Sequence, residues 1–258
     1  MSAISPLTLV KIGGKVLDNN DLLTPVLDAF VAMPGAKILV HGGGKAGSDL
    51  AQRLGVEAPL INGRRITSPE MLEIALMVYG GKMNRQLVAS LQARGLNALG
   101  LTGADLNAIR AHKRPVKDID YGLVGDIDEV NAAQLQNLLH ANLVPVMAPL
   151  THDGAGQLLN TNADTIAATV ASAMAAHFQV RLVFAFERPG VLTDANDDNS
   201  LISHLSKSEA DRLTETGAIA AGMLPKLHNA FNALNSGVAS VVIGKARQSG
   251  FSGTELSL

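Results

Sequence analysis

Short runs of Val, Ile and Leu recur along the chain, apolar at almost every position and closed by Gly or Pro. They occupy residues 7–12, 37–41, 98–101, 143–147, 180–186 and 239–243. Consecutive apolar side chains suit strands that are covered on both faces. Between them, residues 22–33, 47–54, 69–94, 132–141, 163–178, 207–216 and 224–236 read as helices. This alternation predicts an α/β fold with a mainly parallel sheet and helices on both sides. Residues 108–130 break the rhythm. Short β pieces with Gly turns there predict a hairpin beside the main sheet. A soft lobe boundary is expected near 177–179, dividing residues 1–178 from 179–258.

Composition narrows the function classes. With 258 residues, 47% of them hydrophobic, the chain can bury a large core and is not disordered. The formal net charge is −2 and no basic stripe is present, which argues against nucleic-acid binding. There is no Cys, hence no disulfide, thiolate site or cysteine nucleophile. The seven His residues are scattered without metal-ligand spacing. No signal-peptide pattern opens the sequence, and the apolar stretch 165–178 is shorter than the ~20 residues that span a bilayer. A soluble cytoplasmic protein without membrane contact is expected.

Two glycine loops follow the first two strands, Lys11-Ile12-Gly13-Gly14-Lys15 and His41-Gly42-Gly43-Gly44-Lys45. Glycine lets backbone N–H groups approach phosphate oxygens, and a helix starting behind the loop adds its positive end. The second loop also fits a dinucleotide fingerprint at Gly42, Gly44 and Gly47. That reading requires an acidic residue about 20 positions on to hold a ribose. Residues 59–65 contain none, and Glu57 comes too early. A P-loop is excluded as well, because Ser48 rather than Lys follows Gly47.

The remaining polar signals fall near element ends. Lys11 interrupts an otherwise apolar strand, and a buried ammonium needs a partner or an anionic ligand. Asn160-Thr161-Asn162-Ala163-Asp164 leads into an apolar helix, with Thr161 or Asn162 as a cap and Asp164 favoured by the helix dipole. Lys226 opens a helix just behind Pro225. Each has an ordinary structural explanation as a cap or a surface charge. Jointly they suit phosphoryl transfer, which rests on positioning and charge neutralisation, with Mg²⁺ on the β- and γ-phosphates. A carboxylate acceptor, with a pKa near ~4.3, is already ionised at neutral pH and needs no general base.

The ordered set of motifs goes further. Lys11-Ile12-Gly13-Gly14, His41-Gly42-Gly43-Gly44, Asn62-Gly63-Arg64-Arg65-Ile66-Thr67, Gly100-Leu101-Thr102-Gly103-Ala104-Asp105, Asn160-x-Asn162-Ala163-Asp164, Pro189-Gly190-Val191-Leu192 and Gly222-Met223-x-x-Lys226 span nearly the whole chain. Together they resemble the N-acetylglutamate kinases of the amino-acid kinase superfamily. The resemblance implies an open αβα sandwich, with the acylamino acid bound in residues 1–178 and ATP in 179–258. It assigns Lys11 and Lys226 to transition-state stabilisation and Asp164 to orienting both. Gly43 and Gly44 would contact the substrate and the moving phosphoryl group. Arg65 would hold a substrate carboxylate as a bidentate donor, and Asn160 would bond the amino-acid part. Gly13 and Gly14 would line the phosphate path, while Glu187, Gly222 and Met223 would border the nucleotide. Arg64 would face solvent or back the site.

The implied reaction is ATP-dependent phosphorylation of the side-chain carboxylate of N-acetyl-L-glutamate in arginine biosynthesis, with Mg²⁺ carried by ATP rather than by protein ligands. The sequence departs from the family at Phe186-Glu187-Arg188-Pro189, where Glu187 stands in place of the usual Asp. Hexameric, arginine-inhibited relatives carry an extra N-terminal helix that does not fit here, so an arginine-insensitive homodimer is expected. Its interface would use Met71, Leu72, Ala75, Met77 and Val78 of the 69–94 helix, a set that equally suits core packing. Other readings stay open: an N-succinylglutamate kinase, another superfamily kinase acting on an amino acid, carbamate or phosphate monoester, and a non-catalytic sensor. Retention of Lys11, Asp164 and Lys226 together argues against the sensor.

Overall fold

All six apolar runs are strands, and burial on both faces is what makes them so uniformly apolar. The computed structural model describes residues 5–258 apart from 62, 195, 218, 220–222 and 249. The first strand, β1 (Pro6–Ile12), is followed by a one-turn α1 (Gly14–Leu17), α2 (Asn20–Ala32), β2 (Ala36–His41) and α3 (Ala46–Arg53). A small ribbon, β3 (Leu60–Ile61) and β4 (Arg64–Arg65), precedes α4 (Pro69–Ala75), a π-helical stretch (Leu76–Met83) and α5 (Asn84–Gln92). Next come β5 (Ala98–Leu101), β6 (Ile109–Lys113), β7 (Gly125–Val130), α6 (Ala132–His140), β8 (Val144–Met147), β9 (Leu150–His152), β10 (Leu158–Asn160) and α7 (Ala163–Met174). The chain finishes with β11 (Gln179–Ala185), β12 (His204–Ser206), α8 (Lys207–Glu215), α9 (Leu224–Asn235), β13 (Ser240–Arg247) and β14 (Gly250–Ser257).

The central sheet has eight strands in the order β12-β14-β13-β11-β1-β2-β8-β5. Its pairs are parallel except β13 with β14. Alternation along the strands divides the core in two. Leu7 and Leu9 of β1, Ile38 and Val40 of β2, and Leu182 and Phe184 of β11 pack on the face covered by α6, α7, α8 and α9. Val10 and Ile12, Leu39 and Val183 pack on the opposite face against Val26, Leu27 and Phe30 of α2 and Leu87 and Leu91 of α5. The predicted hairpin exists as antiparallel β6 and β7, with a register shift at Arg110/Ala111. It belongs to a separate four-stranded sheet, β10-β9-β6-β7, in which β9 and β10 were not foreseen.

Two expectations need correction. The continuous helix over 69–94 is interrupted by the π-helical stretch and stops at Gln92. Of the apolar residues assigned to a dimer interface, Met71, Leu72, Ala75 and Val78 are buried within the protomer, in a third cluster with Ala51 and Leu150. Leu76 and Met77 are the side chains of that run that stay exposed, at 42% and 54%. The tail after the last predicted strand forms β14, antiparallel to β13.

That final hairpin brings backbones unusually close. A Cβ on Gly253 would lie 2.6 Å from the Gly244 Cα and would overlap the Ile243 carbonyl. Gly253→Ala is expected to destabilise the protein by about 1–3 kcal/mol, read as a lower thermal midpoint against the wild-type protein.

Candidate active site

The carboxyl ends of β1 and β2 open into a cleft of about 450 Å³, the usual place for ligands in an open parallel sheet. Lys11 reaches it because it shares a strand face with Leu7 and Leu9, the face covered by α7 and α9. The first turn of α7 supplies Asp164. Asn162 caps that helix, its Oδ1 accepting from the amides of Asp164 and Thr165 at 2.9 and 3.1 Å, so Asn162 rather than Thr161 is the cap. Lys226 heads the buried stripe of α9, one turn ahead of Ala230.

These three side chains meet. The Lys11 Nζ lies 2.7 Å from Asp164 Oδ1. The Lys226 Nζ donates to both Asp164 oxygens, at 3.1 and 3.2 Å. The Lys226 ammonium also stands 4.9 Å from the centroid of Phe184 and 5.8 Å from that of Phe186, distances at which a ring face attracts a cation. Burial alone would raise the Asp164 pKa, but the two lysines outweigh it and hold the carboxyl well below its ordinary range. Burial, and then the charge of Lys11, push Lys226 down to about 8. Two cations therefore share one carboxylate at the cleft, leaving positive charge for an anionic ligand.

The glycine loops close over the same space. A Cβ on Gly14 would stand 3.2 Å from the Gly44 Cα, so the loops approach backbone to backbone. Gly44 has φ +55°, and a Cβ there would lie 2.5 Å from Asp18 Oδ1. The Asp18 carboxylate accepts from the Lys45 amide at 2.9 and 2.8 Å, which fixes the end of the loop. Beneath it His41 is fully buried. Its Nδ1–H donates to the Gly42 carbonyl at 2.9 Å, and its Nε2 accepts from the Asn84 amide at 3.1 Å. Burial pushes this imidazole down to about 4, so it is neutral at physiological pH and serves as structural support.

Other predicted residues take distinct places. Arg65 lines the cleft and donates to the Ala58 carbonyl at 2.8 Å and to Ser48 Oγ at 2.7 Å. Asn160 lines it too, with its amide bonded to Thr67 Oγ1 at 3.0 Å. Gly14, Gly43 and Gly44 are in the wall. Gly13 is not, and its amide is taken by the Ala185 carbonyl at 3.1 Å. Glu187 and Met223 border a smaller adjoining cavity of about 150 Å³ with Phe186, Val191, Leu192 and Ile219. Gly222 lies outside the described residues. Arg64, expected toward solvent or behind the site, lines the main cleft. Lys15, Asp18 and Tyr79 line it as well and were not singled out. Lys15 reaches both cavities and pairs with Glu187 at 2.9 Å. Its place directly behind the paired glycines was the available signal.

A sequence model described as the amino acid kinase family matches residues 6–245. The chain belongs to the amino acid kinase family. An acetylglutamate kinase from Bacteroides thetaiotaomicron is 54% identical over 237 residues, 92% of either chain. One from Parabacteroides distasonis is 52% identical over 242 residues, 94% of this chain and 95% of its own. Among solved structures, the protein smu.665 from Streptococcus mutans UA159 superposes with a TM-score of 0.80, at 26% identity, over 97% of this chain and 98% of that one.

In this amino acid kinase, removing the shared carboxylate tests the electrostatics directly. Asp164→Asn leaves two buried ammonium groups uncompensated and is expected to cost about 3–5 kcal/mol. The loss should shrink at alkaline pH. Lys226 then titrates in the folded state below its value of about 8, and near ~10.4 when unfolded. The unfolded state thus binds more protons between these limits, and stability rises with pH there. Thermal unfolding of the variant from pH 7 to 10 checks the sign.

Proposed function

We propose that the chain transfers the γ-phosphoryl group of ATP to the side-chain carboxylate of N-acetyl-L-glutamate, forming N-acetyl-L-glutamyl 5-phosphate in arginine biosynthesis. The observation that carries this is the Lys11–Asp164–Lys226 cluster at the edge of a cleft that also presents Arg65 and Asn160. The relatives at about half identity, named acetylglutamate kinases, agree with it.

The roles follow from charge. Lys11 and Lys226 neutralise the oxygens of the moving phosphoryl group, and Asp164 keeps both ammonium groups aimed at it. The Gly43 and Gly44 amides make no backbone hydrogen bond to a described residue, so they are open to anionic oxygens. Arg65 holds the substrate's other carboxylate and Asn160 bonds its amide portion. Among the described residues no His lines the cleft, and the sequence has no Cys; an ionised carboxylate acceptor requires neither. The nucleotide belongs to residues 179–258, its base against Phe186, Val191, Leu192 and Met223 of the smaller cavity, while residues 1–178 bind the acylamino acid. Among the described residues the cleft's two carboxylates are already engaged, Asp18 by the Lys45 amide and Asp164 by the lysines. Mg²⁺ would therefore arrive on the β- and γ-phosphates. A cytoplasmic homodimer completes the proposal, with Leu76 and Met77 as its exposed apolar contacts; among the described residues no helix is long and apolar enough to cross a membrane.

One observation favours a second substrate. Arg64, next to Arg65 in the chain, lines the same cleft, and a guanidinium there would suit the extra carboxylate of N-succinyl-L-glutamate.

Incubation with MgATP and hydroxylamine should trap a hydroxamate from N-acetylglutamate; its absence with every acylglutamate overturns the proposal. A higher kcat/KM for the succinyl compound, abolished by Arg64→Ala, would reassign the acyl group. Lys11→Ala and Lys226→Ala should lower kcat by roughly 10²–10³-fold in a folded protein. Arg65→Ala should mainly raise the KM for the acylamino acid, by about 10–100-fold. Protonated Lys226 is the active form, so kcat/KM should fall as pH rises through about 8. The kcat limb should lie at higher pH, because bound triphosphate favours the ammonium.

A further inference from the structure

The π-helical stretch Leu76–Met83 lies directly against the second glycine loop. In a π-helix, with i→i+5 hydrogen bonds and about 4.4 residues per turn, positions i, i+4 and i+5 gather on one side. Tyr79, Met83 and Asn84 have this spacing, and all three reach the loop. A Cβ on Gly43 would overlap the Tyr79 ring, and one on Gly47 would lie 2.5 Å from its hydroxyl. A Cβ on Gly44 would lie 3.3 Å from Met83 Cε. Asn84 holds His41. The glycines of the loop are thus shaped to admit this aromatic ring.

Tyr79 is 4% exposed, yet it lines the cleft. Among the described residues its hydroxyl has no hydrogen-bond partner, and it is not one of the sealed polar atoms. A buried tyrosine usually pairs its O–H, so an unpaired one that meets the cleft is placed for a ligand. The position indicates which ligand atom. The hydroxyl abuts Gly47, whose neighbour Ser48 accepts from Arg65 at 2.7 Å.

We propose that Tyr79 is a substrate-binding residue whose hydroxyl donates to the same non-reacting carboxylate that Arg65 takes. This rests on the acylglutamate reading of the cleft. The Arg65 fork then supplies charge, and the tyrosine supplies a second donor from a rigid ring. The π-turn provides the placement: an unbroken α-helix would not bring Tyr79 and Asn84 to the same loop.

Calorimetric titration with N-acetylglutamate, without nucleotide, separates the possibilities. Tyr79→Phe keeps the ring against Gly43 and Gly47 and removes one O–H. It should bind about 10–100-fold more weakly, the value of a hydrogen bond to a charged group. Its kcat should change less than about threefold, because the contact is uniform between ground and transition states. For the α-amide of N-acetylglutamate, wild type and Tyr79→Phe should bind within about threefold of each other. Equal binding of N-acetylglutamate by both proteins overturns the proposal, and so does an equal loss with acid and amide. Failure of the wild-type protein to bind any acylglutamate instead overturns the substrate assignment on which it rests. Tyr79→Leu, which also removes the packing, should lower kcat and the thermal midpoint, whereas Tyr79→Phe should leave the midpoint unchanged.

Discussion

The site depends on one carboxylate shared by two ammonium groups. Asp164 is drawn to Lys11 from the central strand and to Lys226 from a helix near the end of the sequence. Burial opposes every charge in this cluster, and the mutual attraction overcomes it for the aspartate while Lys226 remains depressed. The arrangement is therefore not neutral. It holds an excess of positive charge in a partly desolvated setting, where interaction with an anionic ligand is stronger than in water. Helix α7 contributes twice, with its capped N-terminus fixing the aspartate and its dipole favouring the negative charge.

The second requirement is backbone proximity. Loops that approach backbone to backbone, as Gly14 and Gly44 do, must be free of side chains, yet they must also be held in place. Here rigidity comes from below. His41, neutral and buried, is pinned between the Gly42 carbonyl and Asn84, Asp18 ties the Lys45 amide, and Tyr79 fills the space that glycine leaves. A pattern that reads as a dinucleotide fingerprint is thus explained in part by packing. Gly47 is small because an aromatic ring lies against it, with no pyrophosphate needed.

Much of the fold was readable because the central strands are buried on both faces, so their apolar runs leave no ambiguity of period. The strands that escaped notice carry weaker signals. β9, β10 and β12 are three residues each, and β14 reads Gly-Phe-Ser-Gly-Thr-Glu-Leu-Ser, half polar and interrupted by glycine. The π-turn escaped for another reason: apolar spacing over 69–94 looks continuous whether one turn is wide or not. At the site, Lys11 was conspicuous as a charge in an apolar strand. The meeting of Lys11, Asp164 and Lys226 could not be read from spacing, since it is made by topology, and it entered through resemblance to a family. Tyr79 looked like one more apolar core position, because its importance lies in a single hydroxyl.

The cluster joins β1 to α9, with α7 between them in the chain. During synthesis, Lys226 follows Lys11 and Asp164, so these two acquire their third partner only after α9 has been made. Chain order thus makes the charged centre a product of long-range closure rather than of any one local segment. Long-range closure of this kind slows folding, and it makes the full set of charges at the cleft depend on α9 having joined β1 and α7.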